Sequence, residues 1–293
     1  MTQVNITKRL QTPILRKILN NMKPIYITDL DHTFLRTDLS ISPFSAQTWN
    51  DKAENALMGI ATARSFTKSQ ELLKKLHINA PLILLDGSII VTADKKLIDL
   101  KTLDKEIGDA IVNVGLQFDI DPFIIGIKDS NINEAFLYPR KLNDYQKTVL
   151  QGYKDDPRMQ FNPKNQTMEQ NLKIVYFGYE EQLRPLYNEI VKIFGNTIEA
   201  KLSPEKYGGG YFLTLLHPEG DKAHALNKVM EYLERDSKDV TVFGDSVNDI
   251  GMFKIAGTSV AVSNALDEVK AVADVVLPHS NDEDGVARYL EHI

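Results

Sequence analysis

The chain has 293 residues, a length at which one hydrophobic core tends to divide into two domains. It contains no cysteine, which excludes disulfides, thiolate metal sites and cysteine nucleophiles. Its net charge of -6 argues against a nucleic-acid-binding protein, and no apolar run approaches the roughly 20 residues that span a bilayer. We therefore expect a soluble cytoplasmic protein with a small-molecule ligand, present as a monomer or a small homo-oligomer.

Residues 1–23 precede the first predicted strand and lack the uninterrupted apolar stretch of a secretory signal. We interpret them as a solvated N-terminal extension. A transit peptide is the alternative, because the segment has no acidic residue and carries several basic ones: Lys8, Arg9, Arg16, Lys17 and Lys23.

From Pro24 onward, short apolar runs alternate with amphipathic stretches, which is the pattern of βαβ units around a parallel sheet. The first part predicts capped helices and buried strands at Ile25–Thr28, Phe44–Ala56, Met58–Ala61, Phe66–Leu76 and Pro81–Leu85. The same order returns near the C-terminus, at Lys222–Leu233, Val240–Phe243, Asn248–Ala256, Ser259–Val262, Leu266–Ala273 and Asp274–Leu277. We expect residues 24–87 and 208–293 to be the halves of one doubly wound, Rossmann-like α/β domain.

Residues 88–207 have a different pattern, with more aromatic residues and more alternating strands. Examples are Pro122–Ile127, Glu134–Tyr138 and Leu172–Phe177. We interpret this region as an inserted α+β domain. The return to the first domain, Tyr207–Gly210, is either a flexible hinge or a plain turn.

Two acidic residues, Asp29 and Asp31, directly follow the first predicted strand. The carboxyl edge of an open α/β sheet is where ligands bind. Two carboxylates this close repel each other when both are ionised, which favours a cation between them or a proton on one of them. The pair predicts a metal-assisted site or an acid–base pair; a surface turn without function is the alternative.

A second group of acidic residues follows strand Val240–Phe243, where Gly244 leads into Asp245, Asn248 and Asp249. If this turn opens a helix, Asp245 and Asp249 point towards one side. Hard oxygen ligands without cysteine suit Mg²⁺. A helix N-cap built from the same residues is the alternative.

Further polar groups at predicted helix starts are candidates for binding phosphate. Thr62 ends a predicted strand, and the backbone amides of Ala63 and Arg64 precede a helix, where free N–H groups attract phosphate oxygens. Lys222 starts another helix and would add a cation. The alternatives are a helix-start salt bridge for Arg64 and a solvated surface position for Lys222.

In this order, these residues resemble the four motifs of the haloacid dehalogenase superfamily: Asp29-x-Asp31-x-Thr33, Thr62, Lys222 and Gly244-Asp245-x-x-Asn248-Asp249. The similarity is greatest to the Cof-type phosphatases of class IIB, in which a cap domain is inserted between the second and third motifs. The segments Val260–Ala265 and Asn281–Ala287 are also similar to segments of those phosphatases. The resemblance covers about residues 24 to 293 at the core motifs and much less of the inserted region.

The resemblance implies a Mg²⁺-dependent phosphatase that forms an aspartyl phosphate on Asp29. Asp31 would be the general acid and then the general base. The metal would be held by the Asp29 carboxylate, the Asp31 backbone carbonyl and Asp245, with Asp249 bound directly or through water. Substrate and phosphate would be bound by Thr62, Ala63, Arg64 and Lys222, and Asn248 would either contact the phosphate or support the groups that do. The insertion would be the cap that sets specificity.

Two positions depart from the family pattern, since His32 and Ala63 stand where glycine is usual. His32 would narrow the pocket, contact the leaving group or make activity pH-sensitive; a tolerated variation that points away is the alternative. A sugar phosphate is the expected substrate, with pyridoxal phosphate, nucleotides and flavin phosphates left open. A phosphotransferase or mutase and a non-catalytic metabolite-binding protein are the alternative functions.

Overall fold

A computed structural model describes residues 23–129, 133–204 and 209–293. The predicted N-terminal extension up to residue 22, and the start of the predicted hinge at Tyr207 and Gly208, lie outside the described residues. Across the part of the chain that is described, no helix combines the length and the apolar character needed to cross a membrane.

The described residues form a succession of short strands and helices. The strands are β1 (Ile25–Thr28), β2 (Leu57–Ala61), β3 (Leu82–Leu84), β4 (Ile89–Val91), β5 (Leu97–Leu100), β6 (Leu103–Asp104), β7 (Phe123–Ile127), β8 (Glu134–Pro139), β9 (Met159–Asn162), β10 (Gln170–Gly178), β11 (Glu199–Pro204), β12 (Tyr211–Leu216), β13 (Val240–Gly244), β14 (Thr258–Ala261) and β15 (Val275–Val276). The α-helices are α1 (Pro43–Asn55), α2 (Phe66–Leu73), α3 (Lys105–Gln117), α4 (Asp144–Gly152), α5 (Glu180–Phe194), α6 (Lys222–Tyr232), α7 (Ile250–Ile255), α8 (Asp267–Lys270) and α9 (Gly285–Glu291).

The first sheet has eight strands in the order β15-β14-β13-β1-β2-β3-β4-β5. The strands from β15 to β3 are parallel, and β4 and β5 add an antiparallel edge. All residues of the central strand β1 are buried, which is why its sequence is a short run without polar alternation. Because the strand order reverses between β1 and β13, their carboxyl ends form the crevice where ligands bind in such sheets.

Two of the predicted capped helices of this domain begin as expected, whereas the helices predicted from Asn248 and Leu266 begin at Ile250 and Asp267. The hydroxyl of Ser42 caps α1, and the hydroxyl of Ser65 caps α2. Helix α2 ends at Leu73 rather than at the predicted Leu76, because the amide of Leu76 bonds to the carbonyl of Leu73 at 3.0 Å in a tighter turn.

The second sheet, which we call the cap sheet, has seven strands and is mostly antiparallel, with the order β11-β12-β10-β7-β8-β9 and with β6 beside β10. One face packs against α3 and α5 through residues such as Ile111 and Leu183. Aromatic residues Phe123, Phe136 and Phe177 of this sheet belong to the buried cluster that also contains the core of the first sheet. The predicted fold class, a doubly wound α/β core with an inserted α+β unit, is confirmed.

The strand pairings change from one sheet to the other at residues that differ from the predicted boundaries at 87/88 and 207/208. Strands β4 and β5 lie within the predicted insertion but pair with the first sheet, because β4 folds back on β3 as a hairpin. Strand β12 was predicted in the core and pairs instead with β10 and β11 of the cap sheet. The change therefore falls just after Leu100 and just after Leu216, and the division into separate domains stays a prediction.

Candidate active site

Asp29 lies at the carboxyl end of the central strand β1. Its amide donates to the carbonyl of Phe243 at 3.0 Å, so the pairing of β1 with β13 continues through this residue and fixes its backbone. Its buried carboxylate accepts a hydrogen bond from Nζ of Lys222 at 2.6 Å. The predicted nucleophile and the predicted phosphate-binding lysine are therefore in direct contact.

Asp249 organises the loop that follows β13. Its Oδ2 accepts hydrogen bonds from the amides of Asp245 and Ser246 at 2.9 and 3.0 Å, and its Oδ1 accepts one from Lys222 at 2.7 Å. A Cβ on Gly244 would lie 2.5 Å from the Asp249 carboxyl carbon, so this close approach requires glycine. The same carboxylate thus accepts the backbone N–H groups at the start of the short 3₁₀ turn Val247–Asp249 and lies in the predicted metal site.

The carboxylate oxygens of Asp29, Asp245 and Asp249 lie within 4.8 Å of one another, and all three residues are buried. The hydroxyl of Thr33 donates to Oδ1 of Asp245 at 2.9 Å and helps to orient it. Aspartate oxygens are the ligands that Mg²⁺ prefers in proteins, so the residues fit the predicted cation. We call these three aspartates together with Lys222 the carboxylate cluster.

The carboxylate cluster has an excess of negative charge. Burial raises the pKa of Asp29 well above its usual range; Lys222 lowers this pKa in part, and Asp249 and Asp245 add to the rise. Burial opposes the charge on Lys222, but Asp249 and Asp29 outweigh it and raise the pKa of the ammonium group above its ordinary value. Since Lys222 stays charged and Asp29 resists ionisation, a further cation would favour the ionised form of Asp29.

Asp31, the predicted acid–base residue, is bound by Arg64. The Nε of Arg64 donates to Oδ2 of Asp31 at 2.7 Å, and its Nη2 donates to Oδ1 at 2.5 Å. This two-point contact fixes both planar groups. Both side chains are partly exposed, 26% for Asp31 and 20% for Arg64, unlike the buried cluster beside them. The Asp31 carboxylate is not part of the carboxylate cluster. The atom of Asp31 that is predicted to bind the metal is its backbone carbonyl oxygen.

The loop after β2 presents the remaining predicted phosphate-binding groups. Thr62 is buried, and its hydroxyl oxygen accepts a hydrogen bond from the amide of Arg64 at 3.1 Å. Ala63, between them, is exposed. A hydroxyl that accepts one bond still carries a proton that it can donate, so this geometry is compatible with a phosphate contact.

Asn248, also predicted to bind phosphate, contacts a residue that the sequence reasoning missed. Its Nδ2 donates to Oδ1 of Asp86 at 2.8 Å. The other oxygen of Asp86 accepts a hydrogen bond from Nζ of Lys173, in strand β10 of the cap sheet, at 2.5 Å. The sequence predicted Asp86 only as a strand end; the signal that could have identified it is its position after β3, at the same edge as Asp29.

A second group of charges joins the two sheets beside the loop that carries Arg64. Arg158 donates to both oxygens of Asp156 at 2.9 and 2.7 Å, and it also donates to Glu134 and Ser65. Lys68 lies 3.4 Å from Asp156. We call this group of five residues the cap-contact cluster. No sequence motif indicated it.

The two tail segments support the loop after β1. The side chain of Asn264 donates to the carbonyl of His32 at 2.8 Å, and the side chain of Asn281 donates to the carbonyl of Leu35 at 3.0 Å. The φ angle of His32 is 57°, in the left-handed region that glycine adopts without steric cost. The backbone conformation at this position therefore explains why glycine is usual here.

The chain is similar to known proteins over most of its length. A family model described as haloacid dehalogenase-like hydrolase matches residues 26–290. Two relatives from Bacillus subtilis, each named 5-amino-6-(5-phospho-D-ribitylamino)uracil phosphatase, are 27% and 26% identical to this chain, covering 93% and 90% of it and 98% and 93% of their own lengths.

Solved structures show the same fold. A haloacid dehalogenase-like hydrolase from Bacteroides thetaiotaomicron has a TM-score of 0.74 at 22% identity, over 92% of this chain and 99% of its own. A HAD subclass IIB sugar phosphatase has a TM-score of 0.69 at 18% identity, over 92% of this chain and 98% of its own. The prediction of an enzyme of the haloacid dehalogenase phosphatase type is confirmed, and the chain belongs to the haloacid dehalogenase-like hydrolase family.

Proposed function

We propose that this enzyme is a Mg²⁺-dependent phosphatase that hydrolyses a small phosphorylated metabolite through an aspartyl phosphate on Asp29. The observation that carries the proposal is the carboxylate cluster, in which Asp29 contacts Lys222 and lies within 4.8 Å of Asp245 and Asp249. Such a site combines a nucleophilic oxygen with fixed positive charge, and phosphoryl transfer depends mainly on positioning and charge neutralisation.

Asp29, Asp245 and Asp249 would hold the Mg²⁺, with the backbone carbonyl of Asp31 as a further ligand. When bound, the ion supplies positive charge that stabilises the phosphate oxygens during transfer. Lys222 supplies a second positive charge beside Asp29, and this charge belongs to the protein itself.

In the first step, a carboxylate oxygen of Asp29 attacks phosphorus. The bond between phosphorus and the ester oxygen breaks, and the leaving alcohol takes a proton from the carboxyl group of Asp31. A protonated carboxyl group cannot accept the two-point contact that Arg64 makes in this structure. We therefore infer that Arg64 releases Asp31 and turns to the substrate when the substrate enters, and that Asp31 then takes up from solvent the proton that it donates to the leaving alcohol.

In the second step, the Asp31 carboxylate takes a proton from a water molecule as the water oxygen attacks phosphorus. The bond between phosphorus and Asp29 breaks, inorganic phosphate leaves, and both aspartates return to their starting states. Thr62, Asn248 and the amide of Ala63 would bind the oxygens of the transferring group, while the amide of Arg64 already donates to the hydroxyl of Thr62.

A sugar phosphate is the substrate class that we propose first. It is supported by the fold shared with a solved sugar phosphatase. A 5-amino-6-(5-phospho-D-ribitylamino)uracil is the second candidate, because two relatives that match nearly the whole chain carry that name. This compound is itself a phosphorylated sugar alcohol attached to a pyrimidine, so both candidates place a polyol next to the phosphate. We also propose a cytoplasmic enzyme that acts without nucleic acid, as a monomer or a small homo-oligomer.

The proposal is tested by measuring phosphate release from sugar phosphates, ribitylaminouracil phosphate, nucleotides and pyridoxal phosphate, with Mg²⁺ and with EDTA. Asp29→Asn is the test variant, and Asp267→Asn is the matched control, because the side chain of Asp267 is fully exposed. We expect Mg²⁺-dependent release that Asp29→Asn abolishes and Asp267→Asn leaves unchanged.

Other outcomes favour the alternatives. Phosphate that appears on an added acceptor instead of in solution would identify a phosphotransferase or mutase. Wild-type protein that releases no phosphate and shows no Mg²⁺-dependent binding of beryllium fluoride, a phosphate mimic, would favour a non-catalytic metabolite-binding protein.

A further inference from the structure

The turn after β3 contacts several of the loops that build the site. Its Leu85 amide donates to the carbonyl of Arg64 at 3.0 Å, and its Asp86 amide donates to the carbonyl of Thr62 at 3.1 Å. At Gly87, a Cβ would lie 2.3 Å from the backbone oxygen of Asp221, the residue before Lys222. This one turn therefore supports both the loop after β2 and the start of helix α6.

The side chain of Asp86 extends these contacts to the loop after β13. It accepts the hydrogen bond from Asn248, which lies next to the cluster residue Asp249 in the chain. Asp86 has a φ angle of 62°, in the left-handed region that Asp adopts more readily than most residues with a Cβ. The turn that contains Asp86 therefore adjoins the second, third and fourth motifs, which carry Thr62, Lys222 and Asn248.

The counter-ion of Asp86 comes from the other sheet. Lys173 lies in β10, is 8% exposed, and places its Nζ 2.5 Å from Oδ2 of Asp86. A second contact lies beside it, since the hydroxyl of Ser88 donates to the carbonyl of Leu172 at 2.8 Å. The turn that supports the site is therefore bound to the cap sheet by a buried ion pair and a buried hydrogen bond.

A buried carboxylate needs such a partner. Burial raises the pKa of Asp86, but Lys173 outweighs this and, together with the charge of Lys222 and the hydrogen bond from Asn248, holds the pKa well below its usual range, so Asp86 is ionised. Removing one member of a buried ion pair leaves an uncompensated charge, whereas removing both charges together costs far less. The orientation of Asp86, and with it that of Asn248, depends on where Lys173 lies.

We propose that Asp86 is a positioning residue of the phosphate site and that Lys173 is its counter-ion from the cap sheet, so that the seating of the cap on the core sets the orientation of Asn248. This proposal rests on the phosphatase function proposed above. It makes Lys173 act through Asp86 rather than through contact with the substrate.

The test compares Lys173→Met, Asp86→Asn and the double variant with wild type. Lys192→Met is the matched control, since Lys192 lies in helix α5 against the cap sheet with a side chain that is 74% exposed. Each protein is assayed with the metabolite found in the substrate panel and with p-nitrophenyl phosphate, which has a different leaving group. Mg²⁺-dependent binding of beryllium fluoride and the melting temperature are measured in parallel.

We expect Lys173→Met and Asp86→Asn each to lower kcat by about 10²-fold for both substrates, because small misplacements of binding groups have effects of this size. Values of KM change less, and beryllium fluoride binds more weakly. The double variant recovers part of the lost kcat, since no buried charge is left unpaired and the amide oxygen introduced at position 86 can still accept a hydrogen bond from Asn248. Lys192→Met matches wild type.

Two results would overturn the proposal. A wild-type kcat for Lys173→Met on both substrates, with only the melting temperature lowered, would make the pair a structural contact. A loss confined to the metabolite would place Lys173 against the leaving group. If Lys173→Met does not fold, Asp86→Asn and the double variant decide in the same way.

Failure of the proposed function gives a different result. In that case the wild-type protein itself neither releases phosphate nor binds beryllium fluoride. If wild type does both and the variants equal it, the phosphatase function stands and the positioning role of Asp86 is wrong.

Discussion

The carboxylate cluster and the cap-contact cluster are both built from buried or partly buried charges, but their charges are balanced differently. In the carboxylate cluster, three aspartates share the ammonium of Lys222, which bonds to Asp29 and Asp249. In the cap-contact cluster, two cations face two carboxylates. Arg158 donates two hydrogen bonds to Asp156 and one each to Glu134 and Ser65, and Lys68 lies beside Asp156.

This difference separates a site that binds a ligand from a contact that holds two parts of the protein together. A buried group of like charges destabilises the folded protein. A cation that binds there neutralises the negative charge that the protein's own side chains leave uncompensated, so its binding is favourable. A group with equal numbers of positive and negative side chains attracts no further cation. Its ion pairs instead fix the relative positions of the two sheets. Stability measured with and without Mg²⁺ should therefore distinguish the two clusters.

The largest effect is expected for Lys222→Met, which makes the imbalance of the carboxylate cluster worse. Without metal, we expect the free energy of unfolding to fall by about 3 to 5 kcal/mol, because two buried carboxylates lose their partner. With Mg²⁺ the loss should be smaller, since the ion supplies part of the missing charge, while activity falls by about 10²- to 10³-fold. Urea unfolding in EDTA and in Mg²⁺, together with phosphate release, measures this.

Lys228→Met is the matched control for this prediction. Lys228 lies in the same helix, α6, with its side chain 44% exposed, so its loss should leave the free energy of unfolding close to the wild-type value in either buffer. An equal loss for Lys222→Met with and without Mg²⁺ would mean that its charge is not shared with a metal site.

Arg158→Met should have a similar effect on stability but no dependence on the metal. It leaves Asp156 and Glu134 without their buried partner, so we expect a loss of about 3 to 5 kcal/mol in both buffers. Arg184→Met, in helix α5 where the side chain is 50% exposed, is the control and should leave the free energy of unfolding close to the wild-type value. A loss that Mg²⁺ relieves would contradict the separation of the two clusters.

A smaller effect is expected from the metal alone on the wild-type protein. At a Mg²⁺ concentration of about 100 times Kd, binding stabilises a folded protein by about 2.7 kcal/mol. Asp245→Asn should lose most of this gain, because it removes one of the three clustered carboxylates. Thermal unfolding over a Mg²⁺ titration measures the effect, with Asp267→Asn as the control that keeps the full shift; an unchanged shift in Asp245→Asn would place the ion elsewhere.

The same comparison explains which residues could be predicted from the sequence. Asp29, Thr62 and Asp245 each follow a strand of one parallel sheet, so their convergence follows from the positions of the strands alone. Lys173 and Arg158 meet their partners Asp86 and Ser65 across 87 and 93 residues of chain. Those contacts depend on how the inserted sheet seats on the core, and a lysine within an apolar strand gives no sign of its partner.

The sheet to which β4 pairs could not be read from composition for a related reason. The change in composition near residue 88 is real, but β4 folds back on β3 as a local hairpin and stays with the first sheet. The composition of a segment reflects the surroundings of its side chains. Its place in a sheet depends on the strand to which its backbone is hydrogen-bonded, and the two can change at different residues.

The smallest effect concerns His32, in the loop directly after Asp31. Its φ angle of 57° is strained for a side chain with a Cβ, and the bond from Asn264 to its carbonyl holds this conformation. We expect His32→Gly to raise the free energy of unfolding by about 1 kcal/mol or less, because glycine adopts this region freely but has a more flexible unfolded state. Urea unfolding at constant Mg²⁺ measures it, and His77→Gly, outside the left-handed region, should instead be neutral or destabilising. If His32→Gly lowers stability, the imidazole makes contacts worth more than the strain. The carboxylate cluster would then rely on a side chain, and not only on the backbone, to hold the loop beside it.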